Sequence, residues 1–404
     1  MMASKTLVVA GAGVVGIAVA RAAACRGLEV LLLEKNTLVG QEISARNSEV
    51  VHAGIYYPKD SWKAKLCVKG REQLYDFCEE FSVPFSKCGK LIVVHSHQSQ
   101  QLRSILKRGL ENGVSDLKLL TQSEARAIEP LVDCDEAVLS PSTGIVDSHG
   151  LMMALQGDAE THGAIMARAT AVQGGRYDAK SKTFVIRAVQ GDKEEQEVEC
   201  DYFVNATGMF APDLLDKVVA PGVERPPERP RPTVPDRFAK GTYFKLSPKN
   251  RPFTHLVYPI PEVGGLGVHA TVDLAGNIRF GPDVQWIDEI EYQPDQSKAE
   301  KFAERIRAYW PQARAEMLKA DYCGIRPKIA INGKVVEDFY IAVSLVIVIN
   351  SGMPQTNAYM IMQCQDKHSH GVPGLVHLCG IESPGLTASL AIADTVVDML
   401  QDKE

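Results

Sequence analysis

The chain has 404 residues, 45% hydrophobic and 23% charged, which is an ordinary composition for a globular protein and predicts roughly two to three domains. The formal net charge of −6 implies no broad basic surface, so a nucleic-acid partner is not expected. Nine cysteines without metal-ligand spacing indicate reduced thiols and no metal site, and no apolar run reaches the length of about 20 residues that spans a membrane.

The first elements of the chain predict a nucleotide-binding βαβ unit. Thr6 to Ala10 is a short apolar run that is typical of a buried strand, residues 17–26 are rich in alanine and valine and favour a helix, and residues 30–33 form a second buried strand. The unit begins about ten residues into the chain, so a targeting peptide would have to precede Met1.

Glycines and one acidic residue occupy the positions that bind a dinucleotide. Gly11 allows the tight turn after the first strand, and Gly13 lets the backbone approach a pyrophosphate. Gly16 lets the helix pack closely on the strand. Glu34 ends the second strand, where a carboxylate accepts hydrogen bonds from ribose hydroxyls, and this favours a free 2′-hydroxyl.

The rest of the chain alternates helices and strands. Residues 40–57 are polar and small without amphipathic period, as in a loop that wraps a ligand, and the proline-rich segment 221–235 predicts a connector between domains. Helices are predicted at 63–81, 98–112, 123–129, 149–163, 296–310 and 386–400. Strands are predicted at 89–94, 143–147, 165–172, 183–189 and 201–205, with an antiparallel set at 240–246, 255–259, 267–272 and 277–281.

Several motifs resemble those of a known family. The motifs are the nucleotide fingerprint, Arg46-Asn-Ser-Glu-Val-Val-His52-Ala-Gly-Ile-Tyr-Tyr57, Asn205-Ala-Thr-Gly208, Gly324-Ile-Arg-Pro-Lys328 and Gly380-Ile-Glu-Ser-Pro-Gly-Leu-Thr-Ala-Ser389. Over nearly its whole length the chain resembles the FAD-dependent L-2-hydroxyglutarate dehydrogenases, which are D-amino-acid-oxidase-like flavoproteins.

The resemblance implies a fold that combines α/β and α+β parts. A Rossmann-like FAD-binding domain is expected from residues 1–88, 143–235 and 320–404. It is expected to be interleaved with an antiparallel-sheet substrate domain from residues 89–142 and 236–319.

The resemblance also implies non-covalent FAD. Gly11, Gly13 and Gly16 would hold the pyrophosphate, and Glu34 the adenosine ribose. The other implied contacts are Ser44, Asn47 and Ser48 along the pyrophosphate and flavin, Val172 near the adenine, Thr207 and Gly208 over the dinucleotide, and Gly380, Ser383, Gly385, Leu386 and Thr387 at the flavin. The last group precedes a long helix, whose free amides favour negative charge on the reduced flavin.

The implied reaction is oxidation of L-2-hydroxyglutarate to 2-oxoglutarate, with hydride transfer from C2 to flavin N5. Because the hydroxyl also loses a proton, the site needs a carboxylate anchor and a base. Arg326 is the candidate anchor, since a guanidinium binds a carboxylate bidentately. His52 and His269 are the two candidate bases, and the sequence does not choose between them. The candidate substrate contacts are Arg326, Tyr56, Tyr57, Tyr243 and, for the distal carboxylate, Lys328.

Residues 342–364 depart from the family pattern as an atypical insertion. They are too short to span a bilayer and too long for a plain loop of a compact fold. Two interpretations remain: a genuine surface or membrane-contacting element, or a translated intron or other gene-model error. The absence of a helical or strand period favours the error.

Two other functions compete with the implied one. The first is an amine or amino-acid oxidase of the same superfamily, and the second is a catalytically inactive flavin-binding variant. The expected partners are a small 2-hydroxy dicarboxylate and an electron acceptor, either a quinone or an electron-transfer flavoprotein, with peripheral membrane contact as one route. The resemblance implies a mitochondrial location if the source is eukaryotic; otherwise a cytoplasmic or peripheral membrane location is expected.

Overall fold

The computed structural model describes residues 4–218, 232–247, 251–260, 267–343 and 372–401. The helices in this part are α1 (Val14–Cys25), α2 (Trp62–Glu80), α3 (Ser99–Glu111), α4 (Gln122–Ile128), α5 (Ser148–Thr161), α6 (Ala211–Val218), α7 (Ala299–Arg307) and α8 (Gly385–Gln401). The first strands are β1 (Thr6–Ala10), β2 (Glu29–Leu33), β3 (Val50–Val51), β4 (Phe85–Ser86), β5 (Lys90–Val94), β6 (Lys118–Thr121), β7 (Glu136–Ser140), β8 (Gly144–Val146), β9 (Ile165–Ala167), β10 (Thr170–Asp178), β11 (Thr183–Gln190) and β12 (Gln196–Cys200). The later strands are β13 (Tyr202–Asn205), β14 (Phe238–Leu246), β15 (Leu256–Pro259), β16 (Ala270–Val272), β17 (Ile278–Phe280), β18 (Gln285–Ile287), β19 (Leu318–Arg326), β20 (Ala330–Ile331), β21 (Lys334–Val335), β22 (Tyr340–Val343) and β23 (Leu375–Cys379).

A six-stranded sheet holds the predicted βαβ unit. Its strand order is β22-β23-β13-β1-β2-β9, with parallel neighbours except for β22, which runs antiparallel to β23. Strand β1 lies inside the sheet, because Leu7 pairs with Val30 on one side and with Tyr202 on the other. Its carboxyl end therefore meets those of β2 and β13 at one edge, where ligands of open α/β sheets bind.

A nine-stranded sheet forms the second large layer. Its order is β18-β14-β17-β16-β15-β5-β7-β6, and β19 also pairs with β14. One pair departs from the antiparallel expectation, since β5 runs parallel to β15 with Leu91 opposite Val257. Strands β6 and β7 fall outside the predicted elements, and β7 completes the antiparallel pairing of β5.

Helix α8 brings the end of the chain to its beginning. It packs against α1 and α2, and the approach to α2 is so close that a Cβ at Gly70 would lie 2.5 Å from the Thr387 carbonyl oxygen. Ala388 and Ile392 belong to the same buried cluster as Ile17 and Leu74. The residues before α8 are thereby held beside the segment that follows β3.

The predicted fold class is confirmed, since an α/β layer with a Rossmann-like unit is interleaved along the chain with a mostly antiparallel layer. The exact domain boundaries stay a prediction. Most of the proline-rich segment 221–235 and residues 344–364 of the insertion lie outside the described residues. Ala342 and Val343, at the start of the insertion, pair with His377 and Val376 as part of β22. Within the described residues, none of the helices is both long and apolar enough to span a membrane.

Candidate active site

A cavity of about 500 Å³ is lined by residues from both large sheets. The parallel sheet contributes the ends of β1 and β2 and the turn after β13, and the second sheet contributes β14, β15 and β19. The loop of residues 40–50 and the segment 381–386 complete the wall. The cavity therefore lies where the topology brings together parts of the chain that are far apart in sequence.

One end of the cavity is a backbone cradle around Gly11 and Gly13. Gly11 has a φ of +98°, which favours glycine, and a Cβ there would lie 2.7 Å from the Ala206 carbonyl oxygen. A Cβ at Gly13 would lie 3.1 Å from the Ser44 hydroxyl oxygen, and that hydroxyl accepts a hydrogen bond from the Val14 amide at 3.0 Å. Side chains are thus absent where helix α1 begins, and the positive end of that helix suits a pyrophosphate.

Glu34 fixes the turn beside this cradle. Its carboxylate is buried and accepts hydrogen bonds from the Ala12 amide at 2.7 Å and from the Asn36 amide at 2.8 Å. Glu34 also lines the cavity, at the end of β2. The arrangement suits the ribose of a dinucleotide.

His52 lies at the other end of the cavity. Its Nε2 is 3.2 Å from the Ser383 hydroxyl oxygen, and its backbone amide donates to the Thr387 hydroxyl at 3.0 Å. Nδ1 of His52 is buried without a hydrogen-bond partner among the described residues. Burial, reinforced by the charge of Lys90, lowers the pKa of His52 to about 3, so the imidazole is neutral at physiological pH.

His269 lines the same end of the cavity. Its ring stacks on that of Tyr258 with centroids 3.9 Å apart and an interplanar angle of 15°. Burial, followed by the charges of His52, Lys90 and Arg326, holds the pKa of His269 well below its ordinary value. His269 Nδ1 and the Tyr258 hydroxyl are both buried without a partner among the described residues. Orphaned polar atoms of this kind indicate a place for a polar ligand or water.

Arg326 is at the end of β19 and also lines the cavity. One terminal nitrogen, Nη2, donates to the Asp283 carbonyl oxygen at 3.0 Å, while Nη1 is buried without a partner in the described structure. Gly241 leaves room for this side chain, since a Cβ there would lie 3.1 Å from Nη1. The guanidinium is thus fixed by one hydrogen bond and retains donors for an anion.

The structure brings most of the predicted site residues to one cavity. Those that line it are Gly11, Gly13, Glu34, Ser44, Asn47, Ser48, His52, Val172, Thr207, Gly208, Tyr243, His269, Arg326, Ser383, Gly385 and Leu386. Their roles stay predictions.

Other predicted residues lie off the cavity: Gly16, Tyr56, Tyr57, Lys328, Gly380 and Thr387. Gly16 packs on the turn, because a Cβ there would lie 1.9 Å from the Gly11 carbonyl oxygen. The Thr387 hydroxyl forms two hydrogen bonds with the backbone at β3. It accepts one from the His52 amide and donates one to the Val50 carbonyl oxygen at 3.3 Å.

Lys328, proposed from sequence for a distal carboxylate, is engaged within the protein. Its ammonium lies 3.0 Å from Glu382 Oε1, and Lys63 lies 2.8 Å from the same oxygen. Burial opposes ionisation of Glu382, but the two lysines together hold its pKa below its usual value. Glu382 lines the cavity. The triad was not predicted from the sequence, because no local pattern links Lys63, Lys328 and Glu382.

Lys90 and Tyr258 were also missed. Lys90 is the first residue of β5, whose other four residues are apolar, and it is 1% exposed; Tyr258 is fully buried in β15. The feature that could have indicated Lys90 in the sequence is a charged residue at the start of an apolar run. The environment of Lys90 depends on which strands pair in the sheet, and the sequence alone does not show this pairing.

Comparison with known proteins agrees with this geometry. Residues 6–399 match the family described as FAD dependent oxidoreductase. The chain is 40% identical to the mitochondrial L-2-hydroxyglutarate dehydrogenase of Arabidopsis thaliana, over 97% of this chain and 82% of that protein.

Solved structures share the fold at low sequence identity. The dithionite-reduced L-alpha-glycerophosphate oxidase of Mycoplasma pneumoniae with FAD bound superimposes with a TM-score of 0.79 and 21% identity, covering 99% of this chain and 95% of that chain. The L-proline dehydrogenase of P. horikoshii has a TM-score of 0.76 and 18% identity, covering 100% of this chain and 95% of that chain. These similarities concern the fold, and the family is shown by the matches in sequence. The chain belongs to the family of FAD-dependent oxidoreductases, in the group that includes the L-2-hydroxyglutarate dehydrogenases.

Proposed function

We propose that this protein oxidises L-2-hydroxyglutarate to 2-oxoglutarate with FAD as its cofactor. The observation that carries the proposal is the shared cavity: a dinucleotide cradle at one end and Arg326, His52 and His269 at the other. The name of the Arabidopsis relative supports the choice of substrate.

FAD fits the described residues. The glycine cradle at Gly11 and Gly13 and the carboxylate of Glu34 would hold the adenosine and pyrophosphate parts, and Gly385 and Leu386 line the cavity where α8 begins. When bound, FAD supplies the acceptor for the hydride that leaves C2 of the substrate. The positive end of α8 favours negative charge beside it. No described cysteine lines the cavity, which supports non-covalent binding.

Arg326 is the proposed carboxylate anchor. Its free Nη1 is oriented by the bond from Nη2 to Asp283, so a carboxylate binds to a guanidinium that is already positioned. Tyr243 lies on the adjacent strand and lines the same wall. A fixed carboxylate places the neighbouring C2 and its hydroxyl at a defined point in the cavity.

His52 is the proposed base that accepts the hydroxyl proton. Arg326 as well as Lys90 disfavours the protonated form of His269, whereas Lys90 is the cation that acts on His52, so His52 accepts a proton at lower cost. Ser383 orients the His52 ring through its contact with Nε2. His269, stacked on Tyr258, would then position the substrate hydroxyl.

The electron acceptor and the location of the protein are further parts of the proposal. A quinone or an electron-transfer flavoprotein would reoxidise the flavin, because a dehydrogenase passes its electrons to a second acceptor. A mitochondrial location is proposed because the Arabidopsis relative is named mitochondrial.

One experiment tests cofactor, activity and substrate class together. The purified protein is held without oxygen, L-2-hydroxyglutarate, its D-enantiomer, other 2-hydroxy acids and a set of amino acids are added separately, and the flavin absorbance is followed. We expect bleaching by L-2-hydroxyglutarate. Bleaching by amino acids instead would identify an amino-acid oxidase, and the absence of bleaching by any of them would indicate an inactive flavin-binding variant.

A further inference from the structure

Lys90 is a buried lysine directly behind the substrate end of the cavity. It begins β5, and side chains alternate along a strand, so it points to the same side as Ile92 and Val94. Those two side chains pack in one cluster with Ala53 and Ile55, which belong to the loop that follows His52. Lys90 itself does not line the cavity.

Two tyrosine rings enclose the ammonium group of Lys90. Its Nζ lies 4.7 Å from the ring centroid of Tyr56 and 4.8 Å from that of Tyr258. Contacts of this type stabilise a cation that has lost its water. The Tyr258 ring also stacks on the ring of His269, at the wall of the cavity.

The charge of Lys90 has no carboxylate to neutralise it within the described residues, where burial and Cys67 are the influences that act on it. Other lysines near the site are paired: Lys63 and Lys328 with Glu382, and Lys298 with Asp283. Arg326 is held by a carbonyl oxygen rather than by an acid. The substrate end of the site therefore holds two cations, the buried ammonium of Lys90 and the half-buried guanidinium of Arg326, and neither forms an ion pair with a carboxylate within the described residues.

Two cations that form no ion pair with a carboxylate favour a ligand with two negative charges. Arg326 accounts for one carboxylate of the proposed substrate. Lys90 lies one aromatic ring away from the same space, since its Nζ contacts the Tyr258 ring on which His269 stacks. Because the interior screens charge weakly, a cation one layer behind the wall still attracts an anion in the cavity.

We propose that Lys90 is a positioning residue that determines specificity: its buried ammonium, held between Tyr56 and Tyr258, makes the site prefer a dicarboxylate to a monocarboxylate of the same length. The inference rests on the proposed function for the identity of the substrate. It extends that function by assigning the recognition of the second negative charge to a residue that does not touch the ligand.

The proposal predicts that the preference for a dicarboxylate changes over the pH range in which Lys90 loses its proton. Burial lowers the pKa of Lys90 to about 7. The groups that face it do not titrate between pH 6 and 9: the pKa of His52 and that of His269 are lowered, that of Cys67 is raised to about 12, and those of Tyr56 and Tyr258 are raised. The preference for a dicarboxylate should therefore weaken as the pH rises through 7.

The test compares binding of glutarate and pentanoate to the FAD-loaded protein, by calorimetry and by the change in flavin absorbance. For wild type we expect tighter binding of glutarate. In Lys90→Met the dissociation constant of glutarate should rise on the order of tenfold or more, with little change for pentanoate. Lys90→Arg keeps the charge and should retain the preference.

A second arm follows the dissociation constant of glutarate from pH 6 to 9. It should rise above pH 7 in wild type and stay constant in Lys90→Arg, since arginine keeps its proton. Equal weakening of both ligands in Lys90→Met, unchanged glutarate binding, or a flat wild-type pH profile would each overturn the proposal. If Lys90→Met does not fold, the pH dependence of glutarate binding to the wild type tests the proposal by itself.

The two ligands are not oxidised, so this test does not depend on turnover. If the protein oxidises amino acids instead of hydroxy acids, the proposed function fails and the glutarate comparison still decides the role of Lys90. If L-2-hydroxyglutarate bleaches the flavin while Lys90→Met keeps full preference for glutarate, the inference about Lys90 alone fails.

Discussion

The Nε2 of His52 lies 3.2 Å from the hydroxyl oxygen of Ser383, although the two residues are 331 positions apart in the chain. The contact joins the loop after β3 to the segment before α8. It orients an imidazole whose Nδ1 has no partner in the described structure, at the point where a base for a hydroxy acid is needed.

Replacing His52 by glutamine should remove the base while keeping a polar side chain of similar size. We expect kcat to fall about 10²- to 10⁴-fold with bound flavin retained, as is typical for loss of a general base. Stopped-flow reduction of the flavin measures this step. His269→Gln should weaken substrate binding more than the hydride step, and His97→Gln, at an exposed position, should behave as wild type. A larger loss in kcat for His269→Gln than for His52→Gln would exchange the two roles.

Arg326→Lys should weaken substrate binding far more than flavin binding. A lysine offers a point charge instead of a planar fork, and loss of a buried contact to a charged group typically costs about 2–5 kcal/mol. Steady-state kinetics and the flavin content of the purified variant separate the two effects. Arg237→Lys, whose guanidinium is exposed and pairs with Asp288, is the matched control. An unchanged KM and kcat in Arg326→Lys would remove this residue from the site.

Two glycine-to-alanine changes in helices should have opposite effects. At Gly16 a Cβ would lie 1.9 Å from the Gly11 carbonyl oxygen, so Gly16→Ala should destabilise the fold by about 1–3 kcal/mol and impair flavin binding. At Gly157 in α5 a Cβ meets nothing within 4 Å, so Gly157→Ala should be neutral or stabilise by up to about 1 kcal/mol. Urea unfolding and flavin titration measure both, and equal effects would contradict the packing role of Gly16.

Lys90 should make stability depend on pH above neutrality. Its pKa is about 7 in the folded protein and 10.5 ordinarily, so the unfolded chain binds more protons between these values. The free energy of unfolding should therefore rise with pH from 7 to 9, by at most about 1.4 kcal/mol per pH unit. Lys90→Met should reduce this slope, and Lys107→Met, at an exposed position in α3, should not. Identical slopes in wild type and Lys90→Met, measured by urea unfolding, would show that Lys90 titrates normally.

The flavin should be released by acid precipitation. Cys323, which directly precedes the Gly324–Lys328 motif, is buried; its Sγ lies 3.4 Å from the Thr242 hydroxyl, and the residue does not line the cavity. We expect all of the flavin absorbance in the supernatant. Colour that stays with the pellet would indicate a covalent link.

The sequence by itself determined the features that depend on local order. The turn at Gly11 and the packing at Gly16 follow from the conformations available to a few neighbouring residues, and a strand that ends in Glu34 puts the carboxylate at the sheet edge. The motifs around His52 and Arg326 could also be identified from the sequence, since each is a short contiguous run of residues. These predictions needed no knowledge of which distant segments meet.

Only the tertiary structure decided which side chains share the cavity. Lys90 lies against the ring of Tyr258 because β5 pairs with β15 on one side and β7 on the other, and a shift of one residue would turn it to the opposite face. Thr387, by contrast, belongs to a family motif but turns toward β3, because α8 packs tightly on α2 at Gly70. The direction of a side chain is fixed by the contacts of the whole fold, and sequence spacing alone does not contain it.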